Sequence, residues 1–167
     1  MNRYAFSLAL AVVFGAAVSA AALAQGTPPA GGVAGAMDMN AVPVASITWT
    51  DANIPGFPAG MKMAVINGNP DAPGALYTLR LSFPDGYRFP PHWHPMAENL
   101  TVLSGTILLA MGERADESKL KAYGAGDYLN VAGSKPHFGG ARGATVIQLH
   151  GQGPFAINLV GGAPTPR

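Results

Sequence analysis

Beyond residue 44, Gly, Pro, Asn and Asp interrupt the chain so often that almost no apolar run is long enough for a helix. Between the interruptions lie segments of strand length: "ASITWTD" (45–51), "GMKMAVING" (60–68), "ALYTLRLSF" (75–83), "AENLTVL" (97–103), "GTILLAMGE" (105–113), "GDYLNVA" (126–132), "ATVIQLHG" (144–151) and "FAINLV" (155–160). In the third of these, Tyr77, Leu79, Leu81 and Phe83 alternate with Arg80, the period of a strand with one face in a core. Turn signals such as "NGNPDAPG", "FPDG" and "SG" separate them. Short strands at this spacing predict an all-β antiparallel sandwich or barrel rather than an α/β fold. Only "RADESKLKAY" (114–123), the most charged stretch, could form a helical turn or two, and it reads as a solvated loop between two halves of the sheet.

At 167 residues the chain has room for one domain with a real core. Residues 1–24 carry one charge, Arg3, an alanine-rich apolar run and the sequence Ala22-Leu23-Ala24 before Gln25, the pattern of a secretory signal cleaved after Ala24. The run approaches membrane-spanning length, but alanine dominates it and Ser7, Gly15 and Ser19 break it, so a cleaved signal is the better reading. Residues 25–44, rich in Gly, Pro and Ala without periodicity, read as a flexible leader; 45–160 form the barrel domain and 161–167 a C-terminal tail. The expected location is periplasmic or secreted.

Loss of residues 1–24 removes Arg3 and leaves nine basic side chains against nine acidic ones. A neutral surface with no run of like charge argues against nucleic acid or, after signal cleavage, a membrane as partner, and leaves a small molecule, a metal or a protein. The chain has no cysteine, which excludes disulfides, thiolate ligands and a cysteine nucleophile.

The stretch "FPPHWHPMAENLTVLSG" holds two of the four histidines. On a strand, residues i and i+2 share a face about 6.5 to 7 Å apart, so His92 and His94 aim into one space while Trp93 faces the other way into packing. Pro90, Pro91 and Pro95 restrict the segment to extended backbone. Glu98 can return a carboxylate from the start of the next strand. A lone histidine beside Pro and Trp is ordinarily a surface or packing residue; two on one face with an acid behind them need partners. Two imidazoles and a carboxylate with open positions suit Fe(II), Mn(II), Ni(II), Co(II) or Zn(II).

Gly86, five residues, His92, one, His94, three, Glu98, six, Gly105 resembles the first motif of the cupin superfamily in full. "GDYLNVAGSKPH", Gly126 through His137, is similar to the second motif at its first glycine and its histidine, with Ala132 at the proline position, Ser134 at the glycine position and Ala141 where asparagine often stands. The resemblance spans about residues 45–160. It implies a jelly-roll barrel of six to eight strands and one divalent metal held by His92, His94, Glu98 and His137, the last of these coming mainly from the resemblance. Pairing as homodimers through the sheets is a weaker implication.

Outside the motifs, His150 shares a face with Gln148 and could bind substrate or shuttle a proton at the barrel mouth; a satisfied structural role is the plainer alternative. Arg80 is either a surface cation or an anchor for an anionic substrate. Met61, Met63 and Met96 raise copper only weakly, since methionine is a common gap filler and Glu98 is a hard ligand. The expected function is a metalloenzyme acting on a small oxygen-bearing ligand that chelates the ion, oxygenase-like or lyase-like, with Glu98 or His150 handling a proton. The alternative is a non-catalytic binder or sensor of a metal or small acid.

Overall fold

The computed structural model describes residues 39–161. The expected signal, most of the expected leader and nearly all of the expected tail lie outside those residues. The compact unit begins at Asn40, whose amide donates to the Asn67 side chain (3.2 Å).

Nine strands, all paired antiparallel, make the fold: β1 (Thr50–Asp51), β2 (Lys62–Gly68), β3 (Leu76–Phe83), β4 (Arg88–Trp93), β5 (Glu98–Met111), β6 (Lys121–Gly124), β7 (Tyr128–Val131), β8 (His137–Gln152) and β9 (Asn158–Leu159). β5 and β8 are long because each serves both halves of the barrel. In one half, β1, β2 and β3 lead to the end of β8, then to the start of β5 and to β7. In the other, β9 and β4 lead to the start of β8, then to the end of β5 and to β6. The result is an antiparallel jelly-roll barrel.

The core follows from alternation. Tyr77, Leu79, Leu81 and Phe83 of β3 are buried, as are Leu100, Val102, Ile107 and Leu109 of β5 and Ile147 and Leu149 of β8. Leu79 and Leu149, both fully buried, sit opposite one another in the ladder. Removing such a side chain to alanine costs about 2 to 5 kcal/mol.

Where β5 turns from one half to the other its register slips, between Val102 and Ser104 and again before Thr106. Gly105 sits there at φ +73°, and a Cβ would collide with the Ala144 carbonyl and the Cα of Thr145. Only glycine combines that backbone with so close an approach. The slip leaves Thr106 without a backbone acceptor for its N–H, and buried Thr145 supplies one. Its Oγ1 accepts from Thr106 N–H (3.1 Å), while its own proton faces the carbonyls of Gly143 (3.0 Å) and Thr106 (3.1 Å).

Several elements depart from the sequence expectation. "AENLTVL" and "GTILLAMGE" are one bent strand, because β8 pairs across Gly105. The "ASITWTD" segment is a single 3-10 turn (Val44–Ser46) and the two-residue β1. "FAINLV" is a strand only at β9. The charged stretch 114–123 contains a 3-10 turn (Glu117–Lys119), capped by Asp116 accepting from Ser118 N–H, and then β6. β6 is an edge strand with exposed Lys121 and Ala122, while Tyr123 packs on the core, and a charged edge resists further strand pairing.

Replacing Thr145 by the isosteric valine strands the Thr106 amide in the interior. Chemical denaturation of the T145V variant is expected to show a loss of about 1 to 3 kcal/mol; an unchanged midpoint would show that the bulge finds another acceptor.

Candidate metal centre

His92 is the last residue but one of β4, Glu98 opens β5 and His137 opens β8, and the ladder sets His92 opposite His137. His94 lies just beyond β4, two residues from His92, so alternation puts both imidazoles inside and leaves Trp93 half-buried on the other face. Pro90 and Pro91 have no N–H to give, and the ladder between β4 and β8 is irregular between Phe89 and His92. The second motif docks onto the first through Ser134, whose N–H donates to the His94 carbonyl (2.7 Å).

All four residues are buried, none more than 6 % exposed. The three histidines each offer a ring nitrogen within 4.8 Å of the others, and the ring centroids of His92 and His137 are 4.3 Å apart. Glu98 Oε2 lies 3.5 Å from His137 Nε2 and 3.7 Å from His94 Nε2.

The tautomers follow from the backbone. Nδ1 of His92 meets the Pro90 carbonyl (2.8 Å), that of His94 the Ala156 carbonyl (2.9 Å) and that of His137 the Lys135 carbonyl (3.1 Å). A carbonyl only accepts, so each Nδ1 carries the proton and each Nε2 is left as a bare lone pair. His94 Nε2 is buried with no hydrogen-bond partner, a costly state for a polar atom unless something else fills it.

Electrostatics point the same way. Burial, then the neighbouring His137 and His94, push the His92 imidazole down to about 2. Burial pushes His94 down to about 4 and also lowers His137, against an opposing pull from Glu98. The Glu98 carboxyl is raised by burial, with His137 working against the rise. Three neutral imidazoles with inward lone pairs beside one carboxylate are the donor set that a divalent cation requires, so these residues fit a metal.

The cavity around them is small and apolar. It offers about 30 Å³ to the centre of a water-sized ligand and is walled by side chains such as Met61, Phe83, Phe89, Leu100 and Ile107. Phe57 and Phe89 meet the His92 ring edge-on, and Phe155 stacks on His94 with centroids 5.0 Å apart and planes at 18°. Nothing in the sequence marked Phe57, Phe155 or the Ala156 carbonyl, because they reach the site from irregular segments far along the chain.

His150 is not in this cavity. Its neighbour Leu149 is fully buried, so alternation turns His150 and Gln148 to the outer face. There His150 is exposed and lines an open groove of about 560 Å³ with Asn67, Thr78, Asn99, Gln148 and Gln152. His150, expected to bind substrate or shuttle a proton at the barrel mouth, is thus placed on the outer face and not among the buried histidines. Arg80 lies on the same outer face, with Nε donating to Gln148 Oε1 (3.0 Å). The three methionines do not gather: Met61 lines the cavity, Met63 packs on the core and Met96 lines the outer groove.

No family model matches the sequence, and no curated protein matches it. Solved structures do. The polyketide cyclase RemF from Streptomyces resistomycificus is 17 % identical at a TM-score of 0.59, covering 73 % of this chain and 85 % of its own. A candidate acetylacetone dioxygenase from Methylibium petroleiphilum is 15 % identical at a TM-score of 0.60, covering 80 % and 90 %. A cupin-2 domain protein from Rhodospirillum rubrum is 14 % identical at a TM-score of 0.51, covering 71 % and 73 %. These likenesses are of fold: the chain shares the barrel of a cupin-2 domain.

Ser134, at the glycine position of the second motif, is the one described non-glycine residue with positive φ (59°). A left-handed serine is strained and glycine is not. The S134G variant is expected to gain roughly 0.5 to 1 kcal/mol in thermal or denaturant unfolding, with metal content unchanged.

The lowered imidazoles also set a pH dependence for the metal-free protein. In the unfolded chain these histidines bind protons near their ordinary 6.5, while in the fold they do not. Acid therefore favours unfolding, and stability present above about pH 6.5 falls as pH drops toward 4. Raised Glu98 acts in the opposite sense, holding its proton in the fold where the unfolded chain has released it. With three histidines against one carboxyl, the melting temperature in chelator should fall from pH 7 to pH 5, and a flat profile would contradict neutral buried imidazoles.

Proposed function

We propose that this protein is an exported cupin metalloenzyme. Its ion is held by His92, His94, His137 and Glu98, and its substrate is a small oxygen-bearing organic molecule that chelates the ion, in a reaction of oxygenase or lyase type. The observation that carries the reading is the convergence of three Nε2 lone pairs and one carboxylate on a water-poor apolar cavity. Four protein ligands around a six-coordinate ion would leave two positions, in a cavity of about 30 Å³. When bound, such an ion polarises a carbonyl, enol or carboxylate oxygen.

The chain's own residues supply the rest. The phenyl and aliphatic walls exclude water and accept an apolar body. Glu98, whose Oε2 lies 3.5 Å from His137 Nε2, would take up a proton there only on loosening from the ion. Fe(II), Mn(II), Co(II), Ni(II) and Zn(II) all suit the donor set. Similar barrels carry the names of a cyclase and a dioxygenase, two different reactions, so the fold leaves the reaction open.

A second reading, a non-catalytic binder of a metal or small acid, is favoured by how closed the cavity is. Turnover separates the two. Protein loaded anaerobically with each of the five ions should bind close to one per chain, and the H92A/E98A double variant should lose tight binding. Unchanged metal content in that variant would sink the site. Oxygen uptake or product formation with a panel of small chelating diketones and hydroxy acids supports the enzyme; tight binding without turnover across the panel supports the binder.

Export rests on the sequence of residues 1–24. The protein recovered from outside the cytoplasm is expected to begin at Gln25 by N-terminal sequencing, and a chain still beginning at Met1 would refute cleavage.

A further inference from the structure

Nearly all the side chains around the metal cavity are buried. The exceptions are Phe57, Phe155 and Ile157, each half-buried. These three mark the wall between cavity and solvent, and none lies on a strand. Phe57 belongs to the loop before β2. Phe155 and Ile157 belong to the irregular segment 154–157 between β8 and β9.

That segment is pinned at its ends by main-chain hydrogen bonds, and between them the Phe155 ring also lies against Tyr77, with centroids 5.7 Å apart. Gly153 exchanges hydrogen bonds with the β2–β3 connection, donating to Ala75 O (2.8 Å) and accepting from Gly74 N–H (2.9 Å). Phe155 N–H donates to Pro70 O (2.7 Å), and β9 pairs with β4 at Asn158 and Leu159. In the middle, the segment holds on through the metal-site histidine itself: the Phe155 ring stacks on His94 and the Ala156 carbonyl accepts His94 Nδ1–H.

His94 differs here from its two partners. His92 and His137 are oriented by carbonyls two residues back, at Pro90 and Lys135, which move with them. The carbonyl that orients His94 is 62 residues away, on the wall of the cavity mouth.

We infer that Phe155 and Ala156 couple access to the cavity with the aim of His94. The inference rests on the reading of the histidines as metal ligands. An entering molecule that displaces Phe155 also carries the Ala156 carbonyl off Nδ1, and the imidazole loses both its stack and its Nδ1 hydrogen bond. In the other direction, an imidazole whose Nε2 is engaged by a cation donates its Nδ1–H more strongly, which holds the segment shut. By linkage the two effects are equal. Phe155 and Ala156 are positioning residues: they act on the ion through His94.

The test uses the full mature protein and Zn(II) alone. Release of Zn(II) to a competing chelator is timed for wild type, F155A, F155Y and I157A. F155A is expected to release it about tenfold faster or more, F155Y to remain near wild type because it keeps the stack, and I157A to change little although it opens the same mouth. Unchanged release in F155A overturns the coupling; equal acceleration in I157A overturns it too, as simple opening. Wild type gives an independent arm that does not depend on a variant folding: amide exchange across 153–158 should slow when Zn(II) is added, and exchange blind to the ion refutes the coupling. Failure of wild type to bind any ion would instead defeat the metal reading beneath it.

Discussion

The antiparallel pairing of β5 with β8 runs through both halves of the barrel, and each of the other strands attaches to one of these two directly or through a neighbour. A pair that changes sheets must bend, and the bend concentrates its difficulty in a few residues. Gly105 takes the backbone that a side chain would forbid, and Thr145 replaces the hydrogen bond that the slipped register withholds. The same pair carries the chemistry. Glu98 is the first residue of β5 and His137 the first of β8, so the geometry of the spine decides whether carboxylate and imidazole meet.

Much of this was legible because alternation is a local signal. The inward set on β3 follows from reading every second residue, and His92, His94 and Glu98 sit close enough in sequence to be seen as a group. His137 needed a motif, since nothing near it says which distant strand it will face. The errors have a common physical origin in pairing between distant segments. "SG" at 104–105 looks like a hairpin turn until β8 is found pairing across it. His150 alternates with Leu149 and Ile147, and which phase faces inward depended on what those two pack against. Phe155 reaches His94 from a segment that reads as strand, "FAINLV", but pairs only at Asn158 and Leu159.

Burial gives the site its electrical character. Desolvation alone holds His94 neutral, and in His92 it is the largest cause, with repulsion among the rings adding to it. The surroundings that make a charged imidazole costly are phenyl and aliphatic groups, and those same groups keep bulk water from the open positions. One physical cause thus prepares the ligands and dries the cavity.

Every orienting partner of the three imidazoles is a main-chain carbonyl. A carbonyl belongs to whatever residue stands at a position, so no substitution at Pro90, Lys135 or Ala156 can delete it without moving the backbone. The chain can therefore exchange the side chains around its ligands while keeping the ligands aimed. Barrels sharing this fold at 14 to 17 % identity show how little sequence the fold itself demands, and a donor set anchored to the backbone is one on which new cavity walls can be tried without rebuilding the centre.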